Sequence, residues 1–525
     1  MRQFVLIGGG HASASVARAL RRQGFDGNIV IVGDEELAPY QRPPLSKDFL
    51  AGEAEIEDIW SVEPDWYDEN GVELKLGKAA AHIDVETRQV TLSDGTKLDA
   101  EAVLIATGVS PRRLEGVTSD RVFYLKTAAD AQAIKAALKP GAHLIVVGGG
   151  FIGLEIAATA RKAGVDVTVL EAGSMPLARV LGDEVGGYVS ALHEKEGVTI
   201  RCGVAVEGIE DRGEGVVVRT QGGEEIEGSL VVVGIGTTPN DQIARASEIT
   251  VGNGIRVDEY GRTSAHNVFA AGDVANHQHM LFGRRMRIEH FDNATRQALV
   301  IATNMLGGRA EFNDVPWFWS DQYDFNLQFA GSSADYDTIV LRGDVEDNDF
   351  SAFYLKDGVV VGVFGLDRGG DVMHSKTLIA EKRVVDPALL ADDDLDLAEL
   401  VMGAPEEEDE EEAGDVAEAS SEDESFKRVA RSGQVTEGMA RRFALDGIEV
   451  AIARSGGQIY AIHNLCTHLA CHLASGKVEG KGITCLCHGS IFDLETGVPI
   501  NPPATRPVRT FPVKEEGGQI YIKMD

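Results

Sequence analysis

The chain has 525 residues, 43% of them hydrophobic and 25% charged, which is room for roughly three or four globular domains. Its net charge of −35 opposes the basic faces that nucleic-acid binding needs, so no nucleic-acid partner is expected. Five cysteines exclude a secreted disulfide scaffold, and no run approaches the roughly 20 apolar residues of a membrane span; with a first strand that opens without an apolar leader, the chain reads as cytoplasmic.

In chain order, RQFVLIGGGHASASVARAL (residues 2–20) is a short apolar strand, a glycine turn and an amphipathic helix. Gly8 and Gly10 permit the tight turn and let backbone N–H groups approach a pyrophosphate at the helix N-terminus. Ser13 stands where a third glycine is usual and is small enough to keep the helix against the strand. The next strand, NIVIVGDEE, ends in acids 24 and 25 residues past Gly10, where a carboxylate can bond an adenosine ribose; Asp34 and Glu35 are not separated by the sequence.

HLIVVGGGFIGLEIAATARKAGVDVTVLEAG (residues 143–173) repeats the arrangement with Gly148, Gly150 and Gly153, and Glu171 closes its second strand. Two such fingerprints, each with a downstream acid, predict two nucleotides on two Rossmann-like domains. Glu171 should bond a 2′-hydroxyl and repel a 2′-phosphate, which favours NADH over NADPH. Glu155 is either beside the nicotinamide or a plain surface helix acid.

Between and after these loops lie PYQRPPLSK (39–47), VLIATGVSPR (103–112), VFAAGDVA (268–275), RIEHFDNA (287–294) and PWFWSDQ (316–322). In that order they resemble the FAD-dependent ferredoxin reductases that serve oxygenases, and the related apoptosis-inducing-factor flavoproteins, over roughly residues 1 to 400. The resemblance implies FAD as the first nucleotide, with Arg42 and Lys47 near flavin or pyrophosphate and Asp273 on the ribitol chain. It extends the cofactor-binding set to Ala106, Thr107, Gly108, Gly236, Gly272 and Phe291, the last standing where close relatives often carry tryptophan. Hydride transfer between stacked cofactors needs geometry more than a protein base, so no general base is assigned. Disulfide reductases built on this plan keep a cysteine pair beside the flavin, whereas here only Cys202 precedes Cys466. Cys202 reads as an inert core or strand residue.

Residues 319–402 read as a small α+β interface domain, with strands around 337–345 and 350–367, a helix over 375–385, and a role in a possible homodimer. Between Asp386 and Glu424 lie eighteen acids and no Lys or Arg, so without that segment the chain carries −17. Residues 403–425, with seven consecutive acids, are expected to form a disordered tether with a reach of roughly 25–28 Å. That length corresponds to millimolar effective concentration. Residues 426–525 then give short β segments between Gly-rich turns.

The last domain contains CTHLACHLASGKVEGKGITCLCHGSIFD, with a C-x-H pair (Cys466, His468) and a C-x-x-H pair (Cys485, His488) separated by sixteen residues. Two thiolates and two imidazoles from two loops can hold a binuclear iron–sulfur cluster, the cysteines on one iron and the histidines on the other. Zinc is the competitor, although its sites usually pair cysteines in one knuckle and histidines in another. The stretch resembles the Rieske [2Fe-2S] box, and by that resemblance Cys466, His468, Cys485 and His488 are the ligands and Cys471 and Cys487 form a disulfide tying the two loops. Ser490 matches a serine that bonds a cluster sulfide in high-potential relatives, and Phe492 stands where they carry tyrosine.

The expected fold is thus α/β: an FAD domain in two parts (1–115 and 241–318), an NAD domain (116–240), the interface domain, the acidic linker and a mainly β Rieske domain. The expected function is electron flow from NADH through FAD and the [2Fe-2S] cluster to an external acceptor, most simply an oxygenase component. The alternatives are an NADH:quinone, cytochrome or oxygen reductase, or a redox-sensing flavoprotein like the apoptosis-inducing factors.

Overall fold

The computed structural model describes residues 2–395, 397, 400, 426–445, 448–467, 472–485, 490–501, 504 and 506–524. The 403–425 linker, His468, His488 and the Cys471–Cys487 pair lie outside the described residues. Two compact units are present: Met1–Asp367 with Leu378–Asp393, and Arg368–Thr377 with Asp394–Asp525.

The first unit contains two five-stranded parallel sheets. One runs Val268–Ala270, Ala102–Ile105, Gln3–Ile7, Asn28–Val32, Val72–Lys75, so a strand from beyond residue 240 closes the sheet begun at residue 3. The other runs Thr199–Arg201, Asp166–Leu170, His143–Val147, Leu230–Val233, Val122–Phe123. The central strands are continuous apolar runs because helices or other layers cover both faces of a parallel sheet. Phe4, Val5, Leu6, Leu144, Ile145 and Val146 are fully buried. Helix His11–Arg22 presents small residues to helix Phe291–Met305: Ala12, Val16, Ala19 and Leu20 share one core with Ala294, Ala298, Ile301 and Met305. Arg21 and Arg22 in its last turn complement the negative end of the helix dipole.

A five-stranded antiparallel sheet follows, in the order Trp317–Gln322, Phe325–Gly331, Val359–Leu366, Asp349–Lys356, Thr338–Asp344. The helix read over 375–385 runs instead over Gly369–Ala380 and stops short of Lys382, whose φ of 52° is left-handed and cannot continue a helix.

In the second unit, the described residues between 426 and 524 form three small antiparallel sheets. The strands Lys477–Glu479, Gly482–Thr484, Ile491–Asp493 and Pro499–Asn501 make one of them, with Cys485 directly after the second and Ser490 directly before the third.

Candidate functional site

Strand Gln3–Ile7 delivers Gly8 into a turn at φ 123°, and a Cβ there would stand 2.1 Å from the Ala106 carbonyl oxygen. Only glycine lets the turn pass beneath the neighbouring strand end. A Cβ at Gly10 would meet nothing within 4 Å, so the space above the helix N-terminus is open to an anion that backbone N–H groups can bind. Ser13 is fully buried and its Oγ has no partner among the described residues. The serine keeps the close helix–strand contact at the cost of a stranded hydroxyl.

Asp34 is exposed at the end of strand Asn28–Val32, while Glu35 is half-buried and engaged. Its carboxylate accepts from Tyr40 Oη and Arg42 Nη2, each at 2.5 Å. Burial works against the Arg42 charge, and Tyr40 and Glu35 outweigh it, so the guanidinium stays charged. Arg42 Nη1 also donates to the Lys126 carbonyl at 2.5 Å, and Lys126 Nζ lies 3.7 Å from Asp273 Oδ2. Burial raises the Asp273 pKa, with Lys126 opposing, and lowers that of Lys126, with Asp273 opposing. Asp273 follows Gly272, whose φ is 70° and whose N–H donates to Gln297 Oε1 at 2.8 Å. Glu35, Arg42, Lys126 and Asp273 therefore form one row in which two cations lie between two carboxylates. Such a line can serve both a diphosphate and a polyol.

The second glycine loop repeats the first. Gly148 has φ 107° and its Cβ would stand 2.4 Å from Gly234 O; a Cβ at Gly153 would stand 2.3 Å from Gly148 O, and Gly150 faces open space. Glu171 Oε2 accepts the Gly149 N–H at 2.7 Å and Oε1 accepts that of Gly173 at 2.6 Å. The carboxylate is thereby fixed at the mouth of the loop, where a ribose diol would meet it. Gly108 (φ 65°) and Gly236 (φ 100°) flank an antiparallel pair, Val109–Pro111 with Thr237–Pro239. Thr107 Oγ1 donates to Asn240 O at 2.6 Å there.

Glu155 is not a surface acid: it is 6% exposed. Lys47 Nζ approaches its Oε1 at 3.3 Å and Asp321 Oδ2 at 3.6 Å. Burial opposes the Lys47 charge, but Glu155 and Asp321 more than offset it, holding the ammonium above the ordinary lysine value. Ser320 Oγ donates to Glu155 Oε1 at 2.6 Å, and Ser46 Oγ donates to its other oxygen.

Phe291 opens helix Phe291–Met305 and stacks on His11, with ring centroids 3.9 Å apart, while Trp319 meets it edge-on at 5.8 Å. His11 Nε2 lies 2.8 Å from Thr295 Oγ1 and Nδ1 lies 3.2 Å from Ser61 Oγ. Burial first, and then Arg18, lower this imidazole to about 3, so it is neutral. The contacts His11, Phe291, Trp319, Lys47 and Glu155 run in succession from the first loop to the helix of the second. Sequence reading missed His11, Lys126 and Ser320. Only His11 carried a signal, its place directly after Gly10.

In the second unit Cys466 and Cys485 are buried in one apolar core with Leu473, Val478, Ile483, Phe492 and Leu494. Cys485 N–H donates to Ser490 O at 2.7 Å, and the fully buried Ser490 Oγ accepts from Ala504 N–H at 2.9 Å, leaving its own proton to donate. Thr467 Oγ1 donates to Arg506 O at 2.6 Å, tying the Cys466 loop to the segment beyond Ala504. Two thiols converging in a dry core from two loops fit a thiolate-held centre. Cys202 is half-buried just past strand Thr199–Arg201, where burial first, and then Glu171 and Glu194, push its thiol pKa up.

Residues 2–298 match the pyridine nucleotide-disulphide oxidoreductase family, 317–401 the reductase C-terminal family and 425–512 the Rieske [2Fe-2S] domain. The chain is 38% identical to putidaredoxin reductase of Pseudomonas putida, over 77% of this chain and 97% of that protein. It is 40% identical to the ferredoxin–NAD(+) reductase component of the anthranilate 1,2-dioxygenase system of Burkholderia cepacia, over 74% of this chain and 97% of that one. The crystal structure of the covalent putidaredoxin reductase–putidaredoxin complex superposes with a TM-score of 0.74 at 38% identity, covering 77% of this chain and 99% of the other. FAD and NAD(H) follow from the first family and a [2Fe-2S] cluster from the last. The chain belongs to the pyridine nucleotide-disulphide oxidoreductase family, as a flavoprotein of the ferredoxin reductase type with a Rieske [2Fe-2S] domain in the same polypeptide.

Proposed function

We propose that the chain takes electrons from NADH at FAD, moves them to its own Rieske cluster and delivers them to the oxygenase component of a hydroxylating system. One observation carries the internal route: the only cysteine before Cys466 is Cys202, so no dithiol can take electrons from the flavin. Several relatives carry an oxygenase system in their names, among them the anthranilate 1,2-dioxygenase and p-cumate 2,3-dioxygenase reductases, which favours that class of acceptor.

When bound, FAD accepts a hydride and releases its two electrons singly, as a one-electron cluster requires. The chain's own residues prepare that exchange. Gly8, Gly10 and Ser13 seat the pyrophosphate, Asp34 or Glu35 meets the adenosine ribose, and Arg42 with Lys126 offsets charge that this acidic protein would otherwise repel. Asp273 accepts from the ribitol hydroxyls. Glu171 orients the NADH ribose, and Lys47 with Glu155 lies where the two cofactors meet. Cys466, His468, Cys485 and His488 hold the cluster. In this reading residues 1–115 with 241–318 bind FAD, 116–240 bind NADH, 319–402 form an interface domain, 403–425 a tether, and 426–525 carry the cluster.

Anaerobic titration with NADH tests the route. Flavin bleaching should be followed by the paramagnetic signal of a reduced histidine-ligated cluster, with three NADH consumed for every two chains when the two-electron flavin and the one-electron cluster are both fully reduced. A bleached flavin beside a competent cluster that stays oxidised would remove the internal step.

A further inference from the structure

Glu155 is the end point of a buried row of side chains drawn from three elements far apart in sequence. Tyr323 Oη lies 3.1 Å from His193 Nδ1; His193 Nε2 lies 2.7 Å from Gln322 Oε1; Gln322 Nε2 donates to Ser320 Oγ at 3.0 Å; and Ser320 Oγ donates to Glu155 Oε1 at 2.6 Å. His193 comes from helix Ala178–Lys195, Ser320 and Gln322 from strand Trp317–Gln322, and Glu155 from helix Phe151–Lys162. His193 and Gln322 are fully buried and Ser320 is 1% exposed, so water does not compete for these bonds.

The direction of every bond follows from the chemistry of its partners. A carboxylate only accepts, so the Ser320 proton points at Glu155 and its oxygen must accept from the Gln322 amide. That orients the amide with its oxygen toward His193, which must then donate from Nε2 and accept at Nδ1 from the Tyr323 hydroxyl. Burial keeps His193 neutral, at about 4, as this tautomer requires. Aligned donors in a dry interior polarise one another, so a change at the far end is felt at the carboxylate. Tyr323 is held for its part at a hairpin turn with φ 57°, a conformation a bulky side chain rarely adopts, and Lys162 Nζ donates to its carbonyl at 2.8 Å. The charged groups facing this row are Lys47 and Asp321 at the Glu155 end and Glu196 and Arg161 at the Tyr323 end.

We propose that His193, Gln322 and Ser320, capped by Tyr323, form a one-directional hydrogen-bond relay that sets the Glu155 carboxylate against Lys47, making them positioning residues for the nicotinamide–flavin step. The proposal rests on the placement of Lys47 and Glu155 beside the cofactors. A purely structural tie between the helix and the strand would have the same direction and tautomer, so the flavin-reduction rate and its pH profile decide between the two.

The test compares His193→Gln with His193→Leu in the full-length flavoprotein. Glutamine offers one donor and one acceptor in the same places, whereas leucine fills the space and breaks the row. His193→Gln should reduce flavin with NADH at the unaltered rate. His193→Leu should do so about tenfold more slowly, the effect of about 1.4 kcal/mol on the barrier, with FAD content retained and a new loss of rate toward acid pH. Imidazole nitrogen NMR of the protein without added NADH should show His193 as the neutral Nε2–H tautomer. If His193→Leu does not fold, Tyr323→Phe, which removes only the terminal donor, should slow flavin reduction by a smaller factor. Equal rates and pH profiles in a folded His193→Leu and His193→Gln, or an Nδ1–H tautomer, would overturn the relay. Failure of NADH to bleach flavin in the unaltered protein would instead overturn the electron route and leave the tautomer result to stand.

Discussion

Glu171 accepts the backbone N–H of Gly149 at 2.7 Å, so the acid that ends the second Rossmann strand is held by the same loop that receives the coenzyme. Its position is set without any coenzyme, and in the proposed reading its charge faces the ribose 2′ position. Glu171→Ala should raise the KM for NADH by about tenfold, the loss of one charge-assisted hydrogen bond. It should also narrow the preference over NADPH, because repulsion of a 2′-phosphate is removed. Initial rates of flavin bleaching with each coenzyme measure both effects.

Gly8 and Gly10 should separate folding from cofactor binding. Gly8→Ala places a methyl group 2.1 Å from Ala106 O at a φ of 123°, so the strand ends must move apart. A loss of at least about 2 kcal/mol of stability is expected, with no FAD retained. Gly10→Ala meets nothing within 4 Å, so the fold should keep its thermal midpoint while FAD affinity falls, because the methyl enters the open anion site. Calorimetry and FAD per chain distinguish the two.

Removing Lys47 strands Glu155 in the interior. Lys47→Met should cost about 3 kcal/mol, as for a buried pair that loses one partner, and should slow flavin reduction. The double variant Lys47→Met with Glu155→Gln should recover much of the stability and none of the rate. Denaturation and single-turnover bleaching read the two separately.

His193 makes the flavoprotein sensitive to acid. Its pKa falls from 6.5 to about 4 on folding, chiefly through burial, so the unfolded chain binds the proton more readily across that interval. Its contribution to stability is full above pH 6.5 and is lost as pH falls toward the folded value. Between pH 6.5 and 5 the loss is about 2 kcal/mol. His193→Gln, which cannot titrate, should flatten that part of the stability profile measured by denaturation at each pH.

Under the proposed ligand set, Cys485→Ser should abolish the cluster's paramagnetic signal while NADH still bleaches the flavin at the normal rate, because Cys485 and the glycine loops belong to separate units. Delivery of electrons to an external acceptor should fall to background. A variant that loses flavin bleaching as well would show that the two functions share a folding unit.

Much of the candidate site was legible because its chemistry is local. A glycine turn, the helix that follows and the acid that ends the next strand lie within about thirty residues, and their geometry follows from backbone sterics. The cysteine spacing near the C-terminus is local in the same way. Lys126 and Asp273 are 147 residues apart, and His11 and Phe291 are 280 apart; no periodicity links such pairs. Glu155 shows the limit most plainly. Its place after Gly153 left a surface position open, and burial came from strand Trp317–Gln322 and from Lys47, 108 residues earlier in the chain.

The sequence by itself determined the two glycine fingerprints with their downstream acids and the lack of a cysteine pair before Cys466, since each of these is a property of a short segment or of composition. Tertiary structure alone decided which charges face one another and in which direction the buried hydrogen bonds run. The reason is physical: a donor's orientation inside a protein is set by the partner that folding brings to it, and that partner is not its neighbour in the chain.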